Sequence, residues 1–203
     1  VWMDRFTMKN LELFNSNSIN GFNLSDTIDE TITSMGSRKL KSWIAFPLID
    51  KKEIKKRQEI VQSIMSDDEI SRLLDINLNN ISDIERLMSK IATYKISPRE
   101  LVNLKCSLEN VDLIKDSLLV YSGVLKNYGK SLPNSKSIIR EISKTLKDDS
   151  PVSILKGDFI KDGFSKELDG LREIRSSGKE YLNQILERET KKTNIPSLKI
   201  SFN

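Results

Sequence analysis

The sequence predicts an all-α fold: a multi-helical bundle, then a long helical arm leading to one terminal β-strand. Three observations predict it. Apolar residues recur every three or four positions over most of the 203 residues. Residues that cap helix starts stand ahead of several of these runs. Alternation suited to a strand is confined to an extended crossover at 152–163 and to the closing stretch 198–202.

Taken in order, residues 1–14 begin without an initiator Met, which predicts a fragment of a longer protein. Asp4, Thr7 and Asn10 suit a capped entry turn. The polar stretch NSNSINGFN at 15–23 is a loop, and 24–30 a short helix. Within 31–50, Leu40, Trp43, Ile44 and Pro47 form a helix face ending in a breaker, with Trp43 as a packing anchor. Gly36 fits a close backbone approach or a turn. Asp50 and Glu53 have capping-box spacing ahead of a helix over 51–66. That helix carries Lys51, Lys52, Lys55, Lys56 and Arg57, interrupted by Glu53 and Glu59 and with no aromatic between them, so it reads as a solvated face. Ser66 with Glu69 caps a helix to about residue 76.

The stretch 81–104, ISDIERLMSKIATYKISPRELVNL, reads as two helices joined by a tight break. Ile81, Ile84, Leu87, Met88 and Ile91 share one face, and Ser82 with Glu85 has capping-box spacing. Ser97, Pro98 and Glu100 repeat that signal with Pro at the first helical position. A long amphipathic helix follows over 101–119. It places Cys106 among Leu101, Leu104, Leu108 and Val111 as a small buried hydrophobe. Gly123, Gly129 and Pro133 punctuate the next part, and 135–146 is one more helix. From 164 to 190, Leu168, Leu171, Ile174, Tyr181, Leu182 and Ile185 follow the spacing of an antiparallel coiled-coil arm.

Composition narrows the chemistry. There are 33 basic and 29 acidic residues, a net charge of +4, which is compatible with nucleic acid without requiring it. With 37% apolar and 31% charged residues, the chain suits a buried core and a soluble surface. One cysteine excludes an internal disulfide and a cysteine zinc cluster, and the absence of His removes the usual general base. No apolar run approaches the ~20 residues of a membrane helix. Asp67, Asp68 and Glu69 fit a helix start better than a cation site. There is no G-x-x-x-x-G-K-[ST] phosphate loop. The chain reads as a non-enzyme in a reducing, cytoplasmic setting.

Four ordered motifs carry a resemblance. The first is Met3, Asp4, Thr7, Lys9, Asn10, Leu11, Glu12 and Leu13, with Lys9 where Arg is usual. The second is Thr31, Thr33, Met35, Gly36, Arg38, Leu40, Trp43, Ile44, Pro47 and Leu48. The third is Ile81, Asp83, Glu85 and Arg86, then Pro98, Arg99, Glu100, Leu101 and Leu104. The fourth runs from Pro151, Ile154, Gly157, Phe159, Ile160, Gly163 and Phe164 through Glu167, Leu168, Asp169, Leu171 and Arg172. The ending TNIPSLKISFN, with Pro196, Ser197, Leu198, Lys199, Ile200, Phe202 and Asn203, completes it. Together they resemble the MutS family of DNA mismatch-recognition proteins, bacterial type.

The resemblance implies the middle of such a protein: a lever (core) domain at 1–161 and the start of a clamp domain at 162–203. It implies that the lever passes the ATP state of an ATPase domain outside this chain to the clamp, which touches the DNA backbone non-specifically during mismatch repair. Lys191, Lys192, Lys199 and Asn203 are the implied backbone contacts. Arg38, Trp43, Pro47, Asp83, Glu85, Arg86, Pro98 and Arg99 are the implied structural signature. No cofactor or metal belongs to this chain; ATP and Mg belong to the longer protein. The implied partners are mismatched double-stranded DNA, a second subunit joined through regions outside this chain, and downstream repair proteins, with no membrane. The implied setting is the bacterial cytoplasm, at the nucleoid. The alternatives are a helical protein-interaction module and a MutS-like protein without mismatch recognition.

Overall fold

The computed structural model describes residues 3–195 and 197–199, the side chain of Lys179 excepted. These residues fall into two compact units, Val1–Phe159 and Ile160–Asn203. Among the described residues the regular structure is helical, with no β-strand.

The first unit holds α1 (Arg5–Asn10), α2 (Leu24–Ile28), α3 (Ser34–Ala45), α4 (Lys51–Met65), α5 (Asp68–Asn79), α6 (Ile84–Ala92), α7 (Pro98–Val120), α8 (Gly123–Ser131) and α9 (Lys136–Thr145). Short polar side chains start most of them by taking an orphan backbone N–H. Asp4 accepts from Thr7, Asn23 from Asp26, Thr33 from Gly36 and Asp50 from Lys52. Two starts differ from the sequence expectation. Asp67, not Ser66, caps α5, accepting from Glu69 and Ile70. Asp83, not Ser82, caps α6, accepting from Arg86. In both places a carboxylate one residue on takes the role, because a charged acceptor bonds more strongly than a hydroxyl. The expected box at α7 is present: Ser97 accepts from Glu100 N–H while Glu100 accepts from Ser97 N–H.

Helix α7 is the spine, and α5, α6, α8 and α9 pack on it. Its buried residues form two sets. At ~100° per residue, Leu104, Ser107, Ile114 and Leu118 share one side, and Pro98, Val102 and Lys105 the other. Cys106 stands two residues from Leu104, which is nearly the opposite side of a helix, and falls between the two buried strips. It is exposed, contrary to the sequence expectation.

The core joins Ile70 of α5, Ile114 and Leu118 of α7 and Leu125 of α8, with Ile60, Ile64, Leu74 and Leu78 packed around them. Helix α8 spans the part expected to be broken by glycines. Gly129 there serves a close approach: a Cβ on it would lie 2.9 Å from Leu118 Cβ and 3.3 Å from the Lys115 carbonyl oxygen. The predicted extended crossover is instead broken by a 3-10 turn, Ile154–Lys156, with Gly157 and Asp158 at φ 65° and 57°.

Trp43 corrects another expectation. Its side chain is 40% exposed rather than a core anchor, and Arg57 lays its guanidinium over the ring, 3.8 Å from the centroid. Leu40 and Ile44 are half-buried. Helix α3 buries no residue, so Trp43 sits on a helix that stays at the surface. Met88, expected on the buried face of α6, is 52% exposed; Leu87 supplies that burial.

The second unit is a turn followed by α10 (Lys166–Thr193), 28 residues and about 42 Å long. Its entry is tied down by signature residues. Asp169 accepts from Gly163 N–H at 2.8 Å. Arg172 donates to the Ile160 carbonyl at 2.8 Å and pairs with Asp162 at 2.5 Å. None of its described side chains is buried, and Leu171, Ile174 and Tyr181 are exposed. The helix ends at Asn194, in the left-handed conformation. The expected strand at 198–202 is not formed at Leu198 and Lys199; Ile200, Ser201 and Phe202 lie outside the described residues, as does Pro196.

Two glycines separate packing from helix propensity. Gly129→Ala is expected to lower stability, because the added methyl meets Leu118 and the Lys115 carbonyl. Gly170→Ala, on α10 with nothing within 4 Å, is expected to raise the helicity of the arm, by roughly 0.5–1 kcal/mol of local helix stability. Urea denaturation and helix content by circular dichroism check both, and a stabilising Gly129→Ala would contradict the close approach.

Candidate functional site

Three of the signature residues, Arg38, Asp83 and Glu85, meet in space. Arg38 on α3 faces the start of α6, more than 40 residues on in sequence. Its Nη1 and Nη2 donate to the two carboxylate oxygens of Asp83 at 2.9 and 2.8 Å, and its Nε donates to Glu85 at 2.8 Å. This is a forked guanidinium between two carboxylates, a geometry Lys cannot reproduce. Asp83 has a second role, since it also accepts from Arg86 N–H at 3.1 Å. The Arg38 hydrogen bonds come first among the causes that hold the Asp83 carboxyl down at about 2. The same pairing pushes the Arg38 guanidinium above its ordinary value. The residues just before α3 are also fixed: Asp29 accepts from the Thr31 hydroxyl at 2.6 Å and from the Ser37 hydroxyl.

A second group of bonds ties flanking segments to α7. Lys90 near the end of α6 pairs with Glu100, which also accepts from Ser97 N–H at 2.9 Å. Lys90 first, then Ser97, holds the Glu100 carboxyl down at about 2. Arg99 Nε donates to the Ser150 carbonyl at 3.0 Å. Lys105, almost buried, reaches Asp148 at 2.5 Å, and that partner raises its pKa. Lys147 pairs with Asp158 at 2.6 Å. Ser107, fully buried, accepts from Ser82 N–H at 3.0 Å and donates to the Asn103 carbonyl at 2.8 Å. The whole arrangement positions helices and loops.

Of the sequence-derived signature residues, the structure brings Arg38, Asp83 and Glu85 into one cluster. Arg86 contributes its backbone N–H to that cluster while its side chain is exposed. Pro98 is buried at the first position of α7, and Arg99 holds the 150 loop. Trp43 meets Arg57 of α4, and Pro47 is half-buried. The partners Lys90, Lys105, Asp148 and Ser150 carry no signal in the sequence that singles them out. Lys90 and Glu100 fall within one motif-bearing stretch, but nothing in the pattern links Lys105 with Asp148.

The implied DNA contacts lie in the second unit. Lys191 and Lys192 are exposed in the last turn of α10, and Lys192 is 3.3 Å from Glu189. Cations there also complement the helix dipole. Lys199 is exposed, and Asn203 lies outside the described residues. Among the described residues no three His, Cys, Asp or Glu side chains are grouped as metal ligands. No described helix is long and apolar enough to cross a membrane.

Comparison with known proteins adds to this geometry. The family model of MutS domain III matches residues 6–199. The chain is 46% identical to a DNA mismatch repair protein MutS from Christiangramia forsetii, over all of this chain and 23% of that protein. It is 47% identical to the one from Flavobacterium johnsoniae and 42% to that from Bacteroides thetaiotaomicron, over all of this chain and 24% of each. The chain thus spans about a quarter of the length of the curated relatives it matches.

The depressed carboxyls set a pH window. Asp83 and Glu100 hold protons less tightly when folded than at their ordinary 3.8 and 4.5. The unfolded chain therefore binds more protons between about pH 4.5 and 2, and stability falls as pH drops through that range. Asp83→Asn and Glu100→Gln together are expected to reduce the steepness of that fall in acid denaturation. A slope equal to the parent's would contradict the two pairings.

Proposed function

Because the chain belongs to the MutS domain III family, we propose that it is the lever of a mismatch-repair protein together with the outgoing part of its clamp. The lever occupies 1–161 and the start of the clamp 162–203. The observation that carries this reading is the family match from residue 6 to residue 199, which reaches across both compact units. The polar bonds gathered on α7 support it further. A part that relays movement must keep its helices in fixed register, and forked or multiply bonded charges do that better than isolated surface pairs.

In this reading the longer protein binds mismatched double-stranded DNA as a dimer and serves DNA mismatch repair in the bacterial cytoplasm. ATP and Mg bind in a part outside this chain, whose own role is structural rather than catalytic. The arm α10 carries Lys191 and Lys192 in its last turn, with Lys199 following in sequence, to contact DNA phosphates. Such contacts position the duplex without reading its bases.

The test is made in a protein extended through the remainder of the clamp. Lys191, Lys192 and Lys199 changed together to Glu are expected to weaken binding to matched and mismatched duplexes alike. The slope of log affinity against log salt should fall by about 0.9 for each phosphate that is no longer neutralised. Unchanged affinity and slope would make the three lysines surface charge only.

A further inference from the structure

A cleft of about 340 Å3 opens between α4 and α8, lined by Lys56, Ile60, Val124, Asn127, Tyr128 and Ser131. Ile60 and Val124 are half-buried, while the four polar side chains are exposed and rim the opening. We propose that this cleft binds a phosphodiester group of DNA, a backbone contact on the first unit and separate from the arm. The proposal rests on the reading of the chain as part of a DNA-bound protein, and adds a contact that reading does not place.

Three features carry it. The first is the set of donors. One ammonium, one side-chain amide and two hydroxyls meet at one opening, and these are side-chain types that contact phosphate oxygens and sugars. A phosphodiester carries a single negative charge spread over oxygens that accept several bonds, so one cation with neutral donors suits it. The Ser131 hydroxyl donates to the Tyr128 carbonyl at 2.6 Å and re-aims by rotation about its own C–O bond.

The second feature is the row of charge leading to the cleft. At ~100° per residue, Lys51, Lys52, Lys55 and Lys56 fall on one arc of α4. Glu59 lies on that arc, one turn further along, and Glu53 lies about 60° past Lys56, toward the side that carries Ile60. None of the four lysines forms an ion pair with a described residue. Lys51 with Lys55 and Lys52 with Lys56 are like-charge pairs four residues apart, which disfavour the helix. A bound polyanion relieves both repulsions, and each phosphate neutralised releases condensed counterions.

The third is the position of the remaining cations. Lys126 and Lys130 of α8 are exposed on the side away from the cleft, because Val124, Asn127, Tyr128 and Ser131 define the facing side. This gives a control of equal charge.

The experiment follows fluorescence anisotropy of a labelled matched duplex with the 203-residue chain across a salt series. Lys52→Glu with Lys56→Glu is expected to weaken binding and to lower the salt slope by about 2. Lys126→Glu with Lys130→Glu, the same change in net charge, is expected to change the slope by less than half as much. Ser131→Asp, which puts an anion in the cleft, should weaken binding like the first pair. Titration with inorganic phosphate should move the Asn127 and Tyr128 amide signals in NMR spectra. Equal effects from the two lysine pairs, or no movement of the cleft signals, would overturn the proposal. So would displacement of the duplex by polyglutamate at equal charge concentration, which assigns the cleft to an acidic protein segment. The series is repeated with Lys191, Lys192 and Lys199 changed to Glu. If the cleft pair still lowers the slope in that background, the cleft stands apart from the arm; if it has no effect with the arm intact or changed, the cleft falls and the arm reading is untouched.

Discussion

The Arg38 guanidinium, held between Asp83 and Glu85, joins the early part of the chain to the helical bundle. Helix α3 buries no residue and packs mainly on the short α2. Its apolar contacts come from half-buried side chains: Met35, which lines one cavity with Ile60, Ile64 and Leu74, and Leu40 and Ile44. The fork supplies orientation: two oxygens of Asp83 and one of Glu85 define where the plane of Arg38 lies. Single exposed ion pairs contribute little, but forked and networked ones are the recognised exception. Because Asp83 is also the cap of α6, loss of the fork disturbs a helix start as well as a tertiary pairing.

Apolar burial and polar bonds divide the labour in the first unit. Ile70, Ile114, Leu118 and Leu125 bury their side chains almost fully, worth roughly 1.5–3 kcal/mol each. That burial supplies stability but tolerates sliding of one helix along another. Glu100, Arg99 and Lys105 remove the sliding. They bind α6 and the 147–150 loop to particular turns of α7. The close approach at Gly129 does the same for α8 without a polar atom. A helix that must be gripped on two sides carries buried residues on two sides, which is the pattern α7 shows.

Much of this is legible in the sequence where local rules suffice. The Ser97–Pro98–Glu100 start of α7 follows from capping chemistry, and the long arm from its heptad-like spacing. The family signatures name Arg38, Asp83 and Glu85 separately, and only the fold puts them in one cluster. Other features are not local. Nearness in sequence to Leu104 and Leu108 places Cys106 among buried residues, whereas its helical angle sets it nearly opposite Leu104, between the two buried strips of α7. The apolar helix face shared with Leu40 and Ile44 places Trp43 in the core, but the helix that carries it stays at the surface and Arg57 covers the ring. Asp67 and Asp83 displace Ser66 and Ser82 as caps because neighbouring candidates compete and the carboxylate wins. Gly129 looks like a breaker in the sequence because the residue it meets, Leu118, lies on another helix.

The orientation of α3 on the bundle depends on the Arg38 fork. Native-state hydrogen exchange on Arg38→Lys is the check, since the charge stays and the planar fork goes. Faster exchange of the α3 amides and of the first turn of α6 is expected, with α7 protection unchanged. Equal exchange in α3 before and after the substitution would rule out that role for the fork.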